Sequence, residues 1–204
     1  MFGSLIHDHQ VRMFALAPTD EIEGFYSLPL EIDEDLLTQL APDIILTQAV
    51  CEVCAVPTPG VRETVGRLGL DAEVLSLDAH TLDDILGTLR QVAVAAGVAE
   101  RGEAVAGELA SRLADVRTAT TGIDRPRVLA IEWLDPPFTP GHWVPEMIEA
   151  AGGRCLVGEP GERSEETSWS ALEGLDPDVL LLMPCGYGLE ASVRDADAHA
   201  ERVK

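Results

Sequence analysis

Apolar positions along this chain fall into short continuous runs and longer stripes with a spacing of three or four residues. Continuous runs at 43–48, 127–132 and 178–183 are typical of strands buried on both faces of a sheet. The stripes at 81–97 and 98–118 predict two long helices. Because strands and helices alternate, the chain is predicted to be an α/β protein with parallel sheets.

Two segments, 135 residues apart, are near copies of each other. The first is LTQLAPDIIL at 37–46 and the second is LEGLDPDVLL at 172–181. Each reads as the last turns of a helix, a proline stop and a buried strand. The duplication predicts two similar Rossmann-like lobes, an incomplete N-terminal one at 1–97 and an incomplete C-terminal one at 122–204.

The helix between the two copies is the strongest helical prediction. At 1.5 Å per residue it reaches roughly 30 Å, so we interpret 98–121 as a rigid connection between the lobes. An ordinary packing helix within one domain is the alternative. Its predicted buried stripe consists of Val98, Gly102, Val105, Leu109, Leu113 and Val116.

Local signals mark the ends of several elements. Asp33 and Ser168 are suited to capping helices, and Thr81 with Asp84 forms a capping box. Thr58 is predicted to cap a further helix, with proline at the first helical position. A short strand is predicted at 73–77, and a helix is predicted to open at 142–145 and to stop at 152–153. Residues 1–30 show no sustained period, 133–141 reads as a proline-rich loop, and 188–204 reads as a polar tail.

Composition excludes several classes of function. The net charge is −22, with 36 acidic residues against 14 basic ones, so the chain repels nucleic acid and anionic lipid. No apolar run is long enough to span a bilayer. Residues 1–10 lack the pattern of a secretory signal, which predicts a cytoplasmic chain as written. Four cysteines are too few for a disulfide scaffold.

Three chemically rich loops follow predicted strands, at 47–54, 132–143 and 184–188. In open parallel sheets ligands bind beyond the carboxyl ends of the strands, so these loops are predicted to face one binding cleft. Their candidate ligand-facing residues are Gln48, Cys51, Cys54, Trp133, Asp135, His142, Trp143, Cys185 and Tyr187.

The chemistry of these residues leaves alternatives open. Cys51 and Cys54 form a CxxC motif, and the sequence has no second CxxC. Three roles are open to these two cysteines: a structural or ligand-lining role, redox catalysis, or a metal site shared with His142 and Cys185. His142 is either a neutral ligand or a helix cap. Trp133 and Trp143 offer flat faces to a macrocycle or plug a strand–helix junction. No nucleophile–base pair or catalytic motif is present, which predicts a binding protein and not an enzyme.

Four segments carry a resemblance to a known family. They are LTQAVCEVCAV, VLSLDAHTLDDIL, EWLDPPFTPGHWVPEMIEAAGG and PDVLLLMPCGY. They resemble the cobalamin-binding, iron-chelate-type substrate-binding proteins of ABC transporters, over about residues 28–187. The resemblance implies two Rossmann-like lobes joined by a long helix, a corrinoid or related metal chelate held between them, no obligatory cofactor, and an ABC permease as partner.

Departures from the family pattern define the remaining expectations. Family members open with a further strand and helix and close with a further strand and helices, so the chain is expected to be truncated at both ends. Exported relatives carry a signal sequence, so the expected location of those relatives is periplasmic or extracytoplasmic. Two other hypotheses are a cytoplasmic metal- or corrinoid-handling protein that uses the CxxC thiols, and an inactive remnant.

Overall fold

The computed structural model describes residues 13–14, 32–50 and 56–203. The chain divides into two compact units. The first consists of Met1–Asp78 with Gln91–Ala99, and the second of Ala79–Arg90 with Glu100–Lys204. Each unit contains a parallel sheet, which confirms the predicted α/β class. The role of the long helix as a separate connection between lobes stays a prediction.

The first unit is built on a three-stranded parallel sheet of order β1-β2-β3. Residues Ile44 to Thr47 of the central strand pair with Glu73 to Ser76. Its strands are β1 (Met13–Phe14), β2 (Ile44–Thr47) and β3 (Glu73–Ser76), and its helices are α1 (Glu34–Leu40) and α2 (Thr58–Leu68). Two further helices, α3 (Leu82–Ala95) and α4 (Ala99–Ala119), follow along the chain.

The second unit contains a parallel sheet of order β7-β4-β8 and a separate two-stranded hairpin. The sheet strands are β4 (Arg127–Ile131), β7 (Arg154–Cys155) and β8 (Val179–Leu182), and the hairpin strands are β5 (Trp133–Leu134) and β6 (Pro137–Phe138). The helices are α5 (Val144–Ala150), α6 (Trp169–Leu172), α7 (Leu189–Ala198) and α8 (Ala200–Val203).

Side chains of β4 alternate between the two faces of this sheet and supply both halves of the core. Leu129 and Ile131 pack with Leu134 and Leu172 on one face. Val128 and Ala130 pack with Ile148 of α5 on the other. The predicted strand at 127–132 is therefore confirmed as a buried central strand, which explains its unbroken apolar run.

Three of the four helix caps predicted from the sequence are present, at Asp33, Thr81 and Ser168. The predicted cap at Thr58 is wrong, because Thr58 is the first residue of α2, the N-cap is Pro57, and the Thr58 hydroxyl bonds to the Ser76 hydroxyl at 2.5 Å. Asp33 accepts from the Leu36 amide at 2.9 Å, and Ser168 accepts from the Ala171 amide at 3.2 Å. Thr81 and Asp84 exchange both bonds of a capping box. These short-range interactions need no tertiary contact, so the sequence alone was sufficient to predict them.

The duplicated segments share a backbone feature. Ala41 and Asp176, which occupy equivalent positions, both adopt positive φ angles of 39° and 45°. Each lies between the end of a helix and the proline that precedes the repeated strand. The sequence repeat is therefore a structural repeat, with α1–β2 in the first unit and α6–β8 in the second.

Four segments differ from the sequence-based expectation. The predicted loop 133–141 contains the hairpin of β5 and β6, and the predicted polar tail 188–204 forms α7 and α8. Strand β7 was not predicted, and β1 pairs with β2 although no element was expected near it. Two-residue strands and amphipathic helices of mostly polar composition leave too little periodicity for sequence analysis to detect.

The buried stripe of α4 also differs from the prediction. Val98, just before the helix, and Val105 and Val116 within it are 42%, 42% and 45% exposed. Its buried residues are Gly102 and Ala106. Gly102 belongs to the predicted stripe and is buried as expected, whereas the three valines of the stripe are exposed.

Candidate functional site

Two predicted ligand residues come together beyond the carboxyl ends of β4 and β8. The rings of Trp133 and Tyr187 pack edge to face, with centroids 5.3 Å apart and planes at 63°. Edge-to-face packing is a favoured arrangement for aromatic rings. Tyr187 remains 40% exposed, so part of this aromatic pair is available to a ligand.

Asp135, at the tip of the hairpin, is held by the end of the chain. Its carboxylate lies 3.2 Å from the guanidinium of Arg202 and 3.9 Å from Nε2 of His199. The sequence does not indicate either partner, because 188–204 reads as a polar tail. The pairing places α7 and α8 next to a loop that carries predicted ligand residues.

A histidine cluster forms a second group of candidate residues in this unit. His142 lies against His80, with ring centroids 5.3 Å apart, and against Trp143 at 5.9 Å. His142 adopts a φ of 53°, which non-glycine residues rarely do. Its Nδ1 atom is buried without a hydrogen-bond partner. The sequence did not single out His80, whose only signal was its place before a capping box.

The environment of His142 favours its neutral form. Burial, and then the charges of His80 and Arg163, lower the pKa of His142 below its ordinary value of 6.5. A neutral imidazole is the form that binds a metal or accepts a hydrogen bond. This agrees with the neutral state expected for a ligand-binding His142, and its causes are burial and neighbouring charge.

A pH prediction follows from that shift. Because the folded chain disfavours protonated His142, stability should fall as pH drops below about 6.5 towards the folded pKa. His142→Asn removes the titration and tolerates the positive φ. The loss of melting temperature between about pH 7.5 and pH 5.5 should therefore be smaller in this variant. His199→Asn is the control and should keep the full loss; an equal loss in the two variants would contradict the prediction.

The segment at 158–167 holds the loop of candidate residues in place. Glu132 accepts from the Gly141 amide at 3.2 Å and from the Ser164 hydroxyl. The His142 amide donates to the main-chain carbonyl of Glu162, and the Thr139 amide donates to the main-chain carbonyl of Glu165. Glu132 therefore links the Gly141 amide to the 158–167 segment.

The remaining candidates have separate positions. Gln48 follows β2 in the first unit and is partly buried, and its neighbour Ala49 donates to Asp78. Cys185 is exposed after β8. Cys51 and Cys54 lie outside the described residues. The structure thus groups Trp133 with Tyr187 and His142 with Trp143, while convergence of all nine residues on one cleft stays a prediction.

Metal binding by the chain itself gains no support from the described residues. Within 32–50 and 56–203, no group of three histidine, cysteine, aspartate or glutamate side chains is arranged to hold a metal ion. Burial raises the pKa of the Cys155 thiol, which donates to Val157 at 3.0 Å. Cys155 is therefore a packed thiol, and the alternatives for Cys51 and Cys54 stay open.

A surface groove of about 480 Å³ lies elsewhere in the second unit. It is lined by Arg117, Thr120, Arg125, Glu146 and Glu149 among others, and by none of the predicted ligand residues. Arg125 is paired with Glu149 there, and Glu146 accepts from the Leu82 amide. Glu146 thereby links the start of α3 to α5.

Comparison with known families decides what kind of protein carries these loops. A model described as periplasmic binding protein matches residues 27–201. The chain belongs to this family. The resemblance of its loop segments to substrate-binding proteins of ABC transporters is thereby confirmed. The periplasmic binding protein family consists of binding proteins, in agreement with the absence of a catalytic motif in the sequence.

Solved structures of this family share the fold. An ABC transporter substrate-binding protein from Listeria monocytogenes aligns with a TM-score of 0.66 at 16% identity, over 83% of this chain and 64% of that one. The haem-binding protein RhuT from Roseiflexus gives 0.64 at 23%, over 85% and 65%. The vitamin B12 binding protein of Vibrio cholerae gives 0.59 at 19%, over 86% and 66%.

These likenesses establish the periplasmic-binding-protein fold. The chain spans less than two thirds of the length of each of these three structures. No protein of curated function matches the sequence. Among the helices that the structure describes, none is both long and apolar enough to cross a membrane.

Proposed function

We propose that the chain acts as the substrate-binding component of an ABC importer and captures a corrinoid, or a related planar metal chelate. The observation that carries this proposal is the Trp133–Tyr187 pair beyond the strand ends of a periplasmic binding protein sheet. Aromatic faces bury a large flat ligand at a low cost in conformational entropy, because each has few rotatable bonds. The vitamin B12 and haem binders among the solved structures bind ligands of this shape.

The proposed ligand-facing set keeps all nine residues predicted from the sequence, which are Gln48, Cys51, Cys54, Trp133, Asp135, His142, Trp143, Cys185 and Tyr187. In the second unit, Trp133, Tyr187 and Cys185 lie at or just after the strand ends, and His142 presents a neutral imidazole. Gln48, Cys51 and Cys54 are proposed to complete the site from the first unit. Delivery to a membrane permease, in the extracytoplasmic space where this family works, completes the proposal.

Titration of the purified chain tests the proposal. Cyanocobalamin, cobinamide and haemin are added separately while absorbance and tryptophan fluorescence are recorded. At least one should give a saturable change. Trp133→Ala should then weaken binding about 30-fold, since truncation of a central aromatic contact costs about 2 kcal/mol. Val116→Ala, on the exposed face of α4, should leave binding unchanged.

Two results would contradict capture of a planar chelate at this aromatic pair. One is the absence of a saturable signal with all three compounds in a chain that unfolds cooperatively. The other is saturable binding that Trp133→Ala and Tyr187→Ala both leave unchanged. The alternative of thiol-based metal handling by Cys51 and Cys54 has no favouring observation among the described residues.

A further inference from the structure

The side chain of Trp169 is bound to the hairpin that carries Trp133. Its indole Nε1–H donates to the main-chain carbonyl of Leu134 at 3.1 Å. Trp169 is partly buried and packs against the core cluster to which Leu134 belongs. Leu134 is 1% exposed and directly follows Trp133 in β5. Trp169 therefore contacts the strand that presents one member of the aromatic pair.

The hairpin itself cannot supply this hydrogen bond. Leu134 pairs with Pro137 across the hairpin, and proline has no amide hydrogen to donate. A buried carbonyl without a donor is costly, because it loses its bond to water and gains nothing in return. The indole of Trp169 supplies the donor from outside the hairpin. An aliphatic or phenyl side chain at position 169 could not do so.

The main chain just before Trp169 also pairs with the hairpin. Phe138 of β6 forms an antiparallel bridge with Glu166. The Thr167 amide donates to the Pro137 carbonyl at 2.8 Å. Segment 165–169 therefore holds both strands of the hairpin, β6 through its main chain and β5 through the indole of Trp169.

The same segment leads to the other member of the aromatic pair. Helix α6 begins at Trp169, and the chain then passes through β8 to Tyr187. Leu180 and Leu182 of β8 pack against the same buried cluster as Trp169. The hairpin that carries Trp133 and the strand that precedes Tyr187 thus share one core, and Trp169 adds a directional bond to it.

We propose that Trp169 is a positioning residue for ligand capture, because its bond to the Leu134 carbonyl keeps the ring of Trp133 against that of Tyr187. The inference rests on the proposed function, in which this aromatic pair contacts a planar chelate. Trp169 itself makes no contact with the ligand. Without its bond the hairpin occupies other positions, and the affinity falls with the fraction of molecules that keep the two rings together.

Trp169→Phe tests this role, since it keeps an aromatic ring in the core and removes the N–H donor. The loss of one hydrogen bond corresponds to about a five-fold change in an equilibrium constant. The Kd for the chelate, measured by the absorbance of the chelate, should therefore rise about five-fold. Leu129→Val is the matched control, because Leu129 lies in the same cluster and its side chain has no hydrogen bond to lose. It should leave the Kd unchanged.

A double-mutant cycle separates positioning from a general loss of stability. Trp133→Ala is expected to weaken binding about 30-fold in the parent. In the Trp169→Phe background it should weaken binding only about six-fold, because the first change has already removed part of the contribution of that ring. In the Leu129→Val background the full effect of Trp133→Ala should remain.

Nuclear magnetic resonance provides a readout without any ligand. Nuclear Overhauser contacts between the ring protons of Trp133 and Tyr187 should be present in the parent, since the ring centroids lie 5.3 Å apart. They should persist in Leu129→Val and be clearly weaker in Trp169→Phe. If no chelate binds, the proposed function fails, yet these contacts still decide whether Trp169 positions the pair.

Two outcomes would overturn the proposal. The first is unchanged contact between the two rings in a Trp169→Phe chain that unfolds cooperatively. The second is a full effect of Trp133→Ala on binding, about 30-fold, in the Trp169→Phe background. Should the phenylalanine variant not fold, Trp169→Met replaces it under the same two criteria, because methionine also fills apolar space without a donor.

Discussion

Gly141→Ala is expected to lower the free energy of unfolding by about 3 kcal/mol, because overpacking against fixed atoms is among the costliest small substitutions. A Cβ atom at this position would lie 2.1 Å from the Ser164 amide nitrogen and 2.6 Å from the Arg163 carbonyl carbon. Both are backbone atoms, so the 158–167 segment would have to move. Thermal unfolding should show a melting temperature lower by about 6–12 °C.

Gly107→Ala is the matched control for this prediction. Gly107 lies within α4, and nothing lies within 4 Å of a Cβ atom built there. Alanine favours a helix over glycine by about 0.5–1 kcal/mol, so this variant should be slightly more stable than the parent. Equal melting temperatures for the Gly141 and Gly107 variants would contradict the prediction, because the 158–167 segment would then move away from the added Cβ atom at little cost in free energy.

Glu132→Ala is expected to cost about 3 kcal/mol, since it removes two hydrogen bonds to one charged acceptor. The Gly141 amide and the Ser164 hydroxyl would both lose their partner. Glu132 is only partly exposed, so water replaces the carboxylate incompletely. Urea denaturation should show the loss as a lower midpoint with an unchanged slope.

Two further variants separate this link from a general effect of charge. Glu132→Gln keeps one acceptor oxygen and should lose about half as much stability as the alanine variant. Glu108→Ala, on the exposed surface of α4, should stay within about 0.5 kcal/mol of the parent. If Glu132→Ala also stays within that range, Glu132 does not hold the loop.

The fold was largely predictable because its signals are local. The strands at 44–47, 127–131 and 179–182 follow continuous apolar runs, and the caps at Asp33, Thr81 and Ser168 follow from single side chains. Elements without a local signal were missed. Strand β7 has two residues, and α7 consists mainly of polar residues and alanine, so their formation depends on contacts with distant parts of the chain.

The candidate site was predictable in its residue types but not in its contacts. Clustering of aromatic residues and cysteines after strands pointed to Trp133 and Tyr187, which do meet. The spacing of Glu132 and Asp135 in a proline-rich segment defines no facing geometry. In the structure their partners are Ser164 and Arg202, which lie 32 and 67 residues away. Motif spacing cannot predict such partners, because they are far apart in sequence and come close only when the chain folds.

The amino-acid sequence by itself determined the α/β class, the structural repeat and the loops that follow the strands, because periodicity, capping and proline stops act over a few residues. Tertiary structure alone decided the depressed pKa of His142, the anchoring of its loop by the 158–167 segment and the pairing of Asp135 with Arg202. Each of these depends on which distant segments become neighbours. Those relations arise only when the chain is packed.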